Sequence, residues 1–167
     1  MLKVTRRYRE VVVKKDSLVL CDHNASYGTA PSAVLDNPAP IAGMWPAISG
    51  TPEFKDGQES FVVIFLSTRR RYLGHSVVVT GLLDQIPLHP REVFRGAIMA
   101  NAHSIVMMHN HPSGDPAPSE ADIRVTRDLC KVGQLLKIEV LDHVIVGQPS
   151  PEHRGWVSLR ELGYFYN

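Results

Sequence analysis

At 167 residues, with 44% hydrophobic and 21% charged side chains, the chain is long enough to bury a core as one folded unit. Its 18 basic and 17 acidic residues leave a net charge of +1, which argues against a protein built chiefly to grip duplex DNA. No run of about 18 apolar residues offers a membrane span. Two cysteines in unlike contexts, Cys21 and Cys130, make no disulfide framework. The opening residues lack the apolar core of a signal peptide, so a reducing cytoplasm is the expected setting.

In chain order, residues 3–20 suggest two strands. Val4, Tyr8 and Val11-Val12-Val13 lead through a turn at Lys14-Lys15-Asp16 to Leu18-Val19-Leu20. Between residues 22 and 58, prolines at 31, 38, 40, 46 and 52 and glycines at 28, 43, 50 and 57 favour turns over long helices. Met44, Trp45 and Phe54 fit either a substrate groove or ordinary packing, and packing is the favoured reading.

From Glu59 the pattern sharpens. Phe61–Leu66 is a continuous apolar run, as expected of a central strand. Thr68–Arg71 reads as a solvated turn, and Leu73–Thr80 as the returning strand. Pro90 opens a helix whose apolar stripe is Val93, Phe94, Ala97 and Ile98. Ile105–Met108 is a further buried strand that runs into His109. A second helix follows Ser119, with Val125, Leu129, Val132 and Leu136 as its buried seam and Cys130 as a small packed residue. Ile138–Val146 makes another strand, and Trp156-Val157 a short one. Ser158 then caps the turn Leu159–Leu162. The sum is a mixed α/β domain.

The chemistry concentrates in His109-Asn110-His111-Pro112-Ser113-Gly114-Asp115-Pro116-Ala117-Pro118-Ser119-Glu120-Ala121-Asp122. On extended chain, residues two apart face one side, so His109 and His111 can aim at a common point. Imidazole nitrogen is a favoured zinc donor and a carboxylate oxygen can supply the third. Three protein donors leave a position for water, the pattern of a catalytic rather than a structural zinc, and no cysteine lies nearby to close the site. Against this, a lone His-x-His is a weak signal, and Ser119 with Asp122 also forms an acidic capping box that needs no metal. The Pro/Gly-rich loop between the donors favours the metal reading, because preorganisation demands rigidity there. Asn110 points away from the two histidines and reads as a loop anchor; Ser113 and Asp115 read as turn residues. Asp142 and His143 are read as structural groups on an apolar strand, in preference to orienting a ligand, and His75, His89 and His103 as surface or packing residues.

The spacing His-x-His, seven residues, Ser, two residues, Asp matches the JAMM metalloprotease motif at His109, His111, Ser119 and Asp122. With His-Asn-His-Pro-Ser-Gly-Asp-Pro, Leu-Asp-His-Val-Ile-Val-Gly downstream and Pro90-Arg91-Glu92-Val93 upstream, residues 59–147 resemble the RadC-type branch of that family. The resemblance implies a JAMM/MPN-like (cytidine-deaminase-like) mixed sheet flanked by helices. Residues 57–167 would form that domain, with residues 1–56 an extension packed on it. It implies Zn2+ on His109, His111 and Asp122, Ser119 assisting at the oxyanion, and a glutamate upstream of the first core strand as general acid/base. Glu59 is assigned that role ahead of Glu92 and Glu53. The implied activity is hydrolysis of a peptide or isopeptide amide by a zinc-activated water, with a peptide or protein as substrate. The alternatives are a DNA-repair-associated protein that binds or processes nucleic acid, and a metal-binding scaffold without turnover. The helix-hairpin-helix region of full-length RadC proteins is not recognisable here, which weakens the DNA role.

Overall fold

The computed structural model describes residues 11–13, 16–20, 34–50, 54, 57–81 and 88–165. Seven strands form one sheet: β1 (Val11–Val13), β2 (Asp16–Leu20), β3 (Ser60–Leu66), β4 (Tyr72–Thr80), β5 (Ser104–Asn110), β6 (Glu139–Val146) and β7 (Trp156–Ser158). Their spatial order is β1-β2-β4-β3-β5-β6-β7. Every neighbouring pair is antiparallel except β5 and β6. A parallel pair needs a crossover, and the chain supplies it as the long helix α4 (Glu120–Leu136), which follows α1 (Pro38–Ala42), α2 (Trp45–Ser49) and α3 (Pro90–Met99). Val4, Tyr8, Lys14, Lys15, Cys21 and Glu53 lie outside the described residues, and Asp16, expected in a turn, begins β2 and pairs with Val13.

Alternation along the central strands sorts side chains to two faces. Phe61, Val63, Phe65, Ile105 and Met107 pack with Val93, Phe94 and Ala97 of α3 and Leu129 of α4. Val62, Ile64, Leu66, Val106 and Met108 turn the other way, onto Leu35, Ile41 and Ile48. All seven residues of β3 are buried, as a strand covered on both faces must be. The Pro/Gly-rich stretch therefore contributes two short helices to one core layer. Asn37 caps α1 through its side chain, with proline in the first turn, and proline also opens α2.

Two helical seams differ from their expected positions. On α3, Val93, Phe94 and Ala97 are buried, but Ile98 is exposed. On α4 the inward row is Asp122, Thr126, Leu129 and Gly133, flanked by Ile123, while Leu136 is exposed and Val125 and Val132 are only partly buried. The spacing is that of the expected row; the helix is turned about its axis. Asp122 and Thr126 have polar business at the sheet, described below, and Gly133 lets the helix come close. A Cβ at Gly133 would stand 2.6 Å from the Ile138 carbonyl oxygen and 3.1 Å from Val140 Cγ2. The Ile138 N–H donates to the Gly133 carbonyl, so the contact closes the turn from α4 into β6.

At the far edge, the Ser158 hydroxyl accepts from the Glu161 N–H, as expected of a cap, and donates to the Asp142 carboxylate. Asp142 also accepts from the N–H groups of His143 and Arg160. Burial raises its pKa against these stabilising bonds. No helix among the described residues is long and apolar enough to cross a membrane.

Gly133→Ala tests the close approach. Alanine is the better helix former by about 1 kcal/mol, yet forcing the helix off the sheet costs about 1–3 kcal/mol, so urea denaturation is expected to show a net loss of stability. Cys130 is half-buried and burial pushes its thiol up to about 11. At pH 8 it is therefore expected to alkylate on the order of 100-fold more slowly than an unperturbed thiol of pKa about 8.5, as peptide mapping after iodoacetamide treatment can measure.

Candidate metal centre

The centre forms where β3 begins and β5 ends. Phe61 lies opposite His109 in the antiparallel ladder, so Glu59, two residues before Phe61, falls beside the end of β5. Asn110 locks this juncture. Its Oδ1 accepts from the Ser60 N–H at 2.9 Å and its Nδ2 donates to the Gln58 carbonyl at 3.1 Å, one bond on each side of Glu59. The Glu59 carbonyl accepts from the Gly81 N–H at 2.8 Å. Asn110 thus anchors the glutamate segment rather than the loop that follows His111.

That loop is held otherwise. The His111 N–H donates to the Val146 carbonyl and the Gln148 N–H to the Gly114 carbonyl. A Cβ at Gly147 would lie 2.2 Å from the Gly114 oxygen, so only glycine lets the end of β6 support the loop at this distance. Asp115 Oδ1 accepts from the Ala117 N–H, and Ser113 Oγ from the Asp115 N–H, as turn residues do. The loop delivers the chain to Ser119, the N-cap of α4. The Ser119 hydroxyl accepts from the Asp122 N–H, and Asp122 Oδ2 accepts from both the N–H (2.8 Å) and the hydroxyl (2.6 Å) of Ser119. The capping box is therefore real, and it leaves Asp122 Oδ1 directed at His109.

Four side chains meet: Glu59, His109, His111 and Asp122, with one donor atom of each within 4.8 Å of all the others. His109 Nε2 lies 3.0 Å from His111 Nε2 and 3.2 Å from Asp122 Oδ1, and His111 Nε2 lies 3.5 Å from Asp122 Oδ2. Donors bound tetrahedrally at zinc's usual bond lengths sit about 3.3 Å apart, so these three side chains have the spacing such an ion requires. Glu59 Oε1 stands further off, 3.6 Å from His109 Nε2 and 3.9 Å from His111 Nε2. Glu92 is not among them; it lies in the first turn of α3, beside Arg91.

Burial opposes the charge on Asp122, but the imidazoles of His109 and His111 and the Ser119 hydroxyl hold its carboxyl well below the usual carboxylate range. The N-terminus of α4 favours the same charge. Asp122 in turn raises the pKa of His111, against the lowering effect of burial.

His143 departs from its expected role. Its ring packs edge-on against Phe61 and its Nε2 lies 2.8 Å from His109 Nδ1, so it touches a candidate ligand directly. A bulge in β6 is the reason. Ile105 pairs with Val140 but Val106 pairs with Asp142, and the extra residue, Leu141, reverses the alternation so that His143 joins Met107 on the α4 side. Regular alternation would have aimed it away, and no local sequence signal marks the bulge. Burial drives the His143 pKa well below its ordinary value, and the neighbouring His109 adds to the shift.

Beside His111 a cleft of about 340 Å³ opens between the metal centre and the α2 region, walled by Trp45, Phe54, Asn110, Pro112 and Val146 among others. Trp45 and Phe54 meet edge to face at 5.5 Å. They are packed on the core, as expected, and they also form one wall of the cleft.

A mixed sheet between helices, with two histidines and two carboxylates gathered at the ends of its central strands, defines an α/β domain of the JAB/MPN type bearing a group of side chains that could hold a metal ion. The chain belongs to the RadC-like JAB domain family, whose model matches residues 44–164. A UPF0758 protein of Chlorobaculum tepidum is 49% identical over 104 residues, 62% of this chain and 45% of that protein. One of Halalkalibacterium halodurans is 48% identical over 107 residues, 64% of this chain and 44% of its own length. One of Methanosarcina mazei is 44% identical over 107 residues, with the same coverage. The matched region thus spans a little under half the length of these curated relatives.

An ion that binds only the folded chain stabilises it by mass action. Zinc at 100 times its dissociation constant is expected to add about 2.7 kcal/mol, read as a rise in Tm that a chelator reverses. The rise is expected to vanish in His109→Ala and Asp122→Ala.

Proposed function

We propose that the chain is a zinc-dependent hydrolase that cleaves a peptide or isopeptide amide bond. The observation that carries this reading is the convergence of His109 Nε2, His111 Nε2 and the Asp122 carboxylate, at 3.0 Å between the rings and at 3.2 and 3.5 Å from them to its two oxygens, with Glu59 just outside. His109, His111 and Asp122 would hold the metal. Two nitrogens and one oxygen suit zinc, and three protein donors are the number found at catalytic rather than structural sites. A zinc ion held there would bring the pKa of a coordinated water down to about 7.

The chain's own residues would do the remainder. Glu59 is mostly buried and clamped through the backbone on both sides, which suits a group that must take a proton from water and return it to the leaving nitrogen at fixed geometry. The Ser119 hydroxyl donates to Asp122, so its first task is to orient that carboxylate. To share charge developing on a substrate carbonyl oxygen, it would have to give up this bond as the substrate arrives. The cleft walled by Trp45, Phe54 and Pro112 lies beside His111, where chain flanking a scissile amide could rest.

Glu59→Gln separates catalysis from binding. Loss of a general base costs about 10²–10⁴-fold in rate. The variant is therefore expected to keep zinc near one per chain by elemental analysis while turnover of a peptide and isopeptide library falls by that factor. Glu92→Gln is expected to change neither. Full turnover by Glu59→Gln would remove Glu59 from the mechanism.

A further inference from the structure

Behind His109 a line of hydrogen bonds runs away from the metal centre, through His143 to Thr126 and on to the backbone of α4. Thr126 and His143 are both fully buried. Thr126 Oγ1 lies 2.6 Å from the Asp122 carbonyl oxygen and 2.6 Å from His143 Nδ1. His143 Nε2 lies 2.8 Å from His109 Nδ1. The hydroxyl has one hydrogen and two close neighbours, and counting protons along this line decides the state of every ring.

The Asp122 carbonyl can only accept. Turning the Thr126 hydrogen toward His143 would leave two oxygens facing each other, lone pair to lone pair, at 2.6 Å with no hydrogen between them and buried where water cannot intervene. The hydroxyl therefore donates to the carbonyl and accepts from His143 Nδ1–H. The His143 nitrogens face a hydroxyl and another imidazole, not a carboxylate, so the buried ring is neutral and its Nε2 is bare. His109 Nδ1 must then carry the proton and donate to it. His109 Nε2 is left as a lone pair directed at the centre.

His111 reaches the same state by a separate route. Its Nδ1 lies 2.9 Å from the Asp115 carbonyl, which can only accept, so its Nε2 is also bare when the ring is neutral. With both rings neutral, the two lone pairs would lie 3.0 Å apart beside the Asp122 carboxylate and repel, which favours a proton on His111 or a metal ion between the rings. The bulge in β6 has its use here, since without Leu141 as the extra residue His143 would face the opposite side of the sheet.

We propose that Thr126 and His143 are positioning residues of the metal centre: the Thr126 hydroxyl orients the His143 ring, and His143 holds His109 in the Nδ1-protonated tautomer, reserving its Nε2 lone pair for the metal. The proposal rests on His109 being a ligand and deepens that reading by assigning two residues outside the donor set. An outer partner of this kind fixes a histidine ligand's tautomer and ring plane, and its loss costs about 10–100-fold in metal affinity.

The test uses zinc competed against a chromophoric chelator on the full chain, together with long-range proton–nitrogen NMR of its histidines. His143→Leu removes both contacts and is expected to weaken zinc binding by about 10–100-fold. His143→Gln is expected to restore it to within a few-fold, because its Oε1 can accept from His109 and its Nε2 can donate to Thr126. Thr126→Val is expected to fall between them. In the unsubstituted, metal-free chain the spectra are expected to show His109 and His143 each protonated at Nδ1 and bare at Nε2, a result that needs no variant to fold. A proton on His109 Nε2 overturns the proposal, as does His143→Leu binding zinc as tightly as the parent or His143→Gln failing as badly as His143→Leu. A chain that passes these tests yet cleaves no amide retires the hydrolase reading and leaves this one standing.

Discussion

The antiparallel ladder between Ser60–Leu66 and Ser104–Asn110 is the constraint on which the metal centre depends. It places the beginning of one central strand against the end of another, and so puts Glu59 beside the two histidines although fifty residues separate them in sequence. The second constraint is the parallel pairing of β5 with β6. Parallel neighbours need a long crossover, the crossover here is α4, and its N-terminus is therefore delivered to the end of the sheet where β5 stops. In open α/β sheets that end is where ligands gather. Topology thus assembles the site, and the donors occupy places that the backbone has already defined.

Electrostatics explains why so polar a cluster is tolerated in a buried place. A buried carboxylate without partners would be very costly. Asp122 spreads its two oxygens over several tasks: Oδ2 takes the capping bonds from Ser119 and lies 3.5 Å from His111, and Oδ1 faces His109. Helix capping and metal ligation, which compete when the segment is read as a string of residues, are compatible because a carboxylate has two oxygens and four lone-pair directions. The polar row through Asp122 and Thr126 occupies helix surface that would otherwise pack against the sheet. Close contact at Gly133 and the buried Leu129 restore packing further along the same face.

The features readable from the residues alone are those with short range. The alternation that sends His109 and His111 to one side is a property of any extended chain. The capping box needs only three residues' separation, and the buried strands announce themselves as apolar runs bounded by turns. The resemblance to RadC-like proteins rests on the same local material, and it pointed to the α/β fold that the chain adopts.

Tertiary structure decided what depends on register between distant segments. The preference for Glu59 over Glu92 rests on the family resemblance, since both are acids next to apolar runs; the β3–β5 ladder is what carries Glu59, and not Glu92, to the histidines. Only the bulge opposite Ile105 and Val106 turns His143 inward, because a single extra residue inverts a period of two and leaves no mark on composition. The rotation of α4 was hidden for a related reason. Hydrophobic periodicity assigns the inward face by apolarity, whereas this helix presents an aspartate, a threonine and a glycine there. Local sequence fixes which way neighbouring side chains point relative to each other; what they point at is set by hydrogen-bond ladders that close only when the whole sheet has formed.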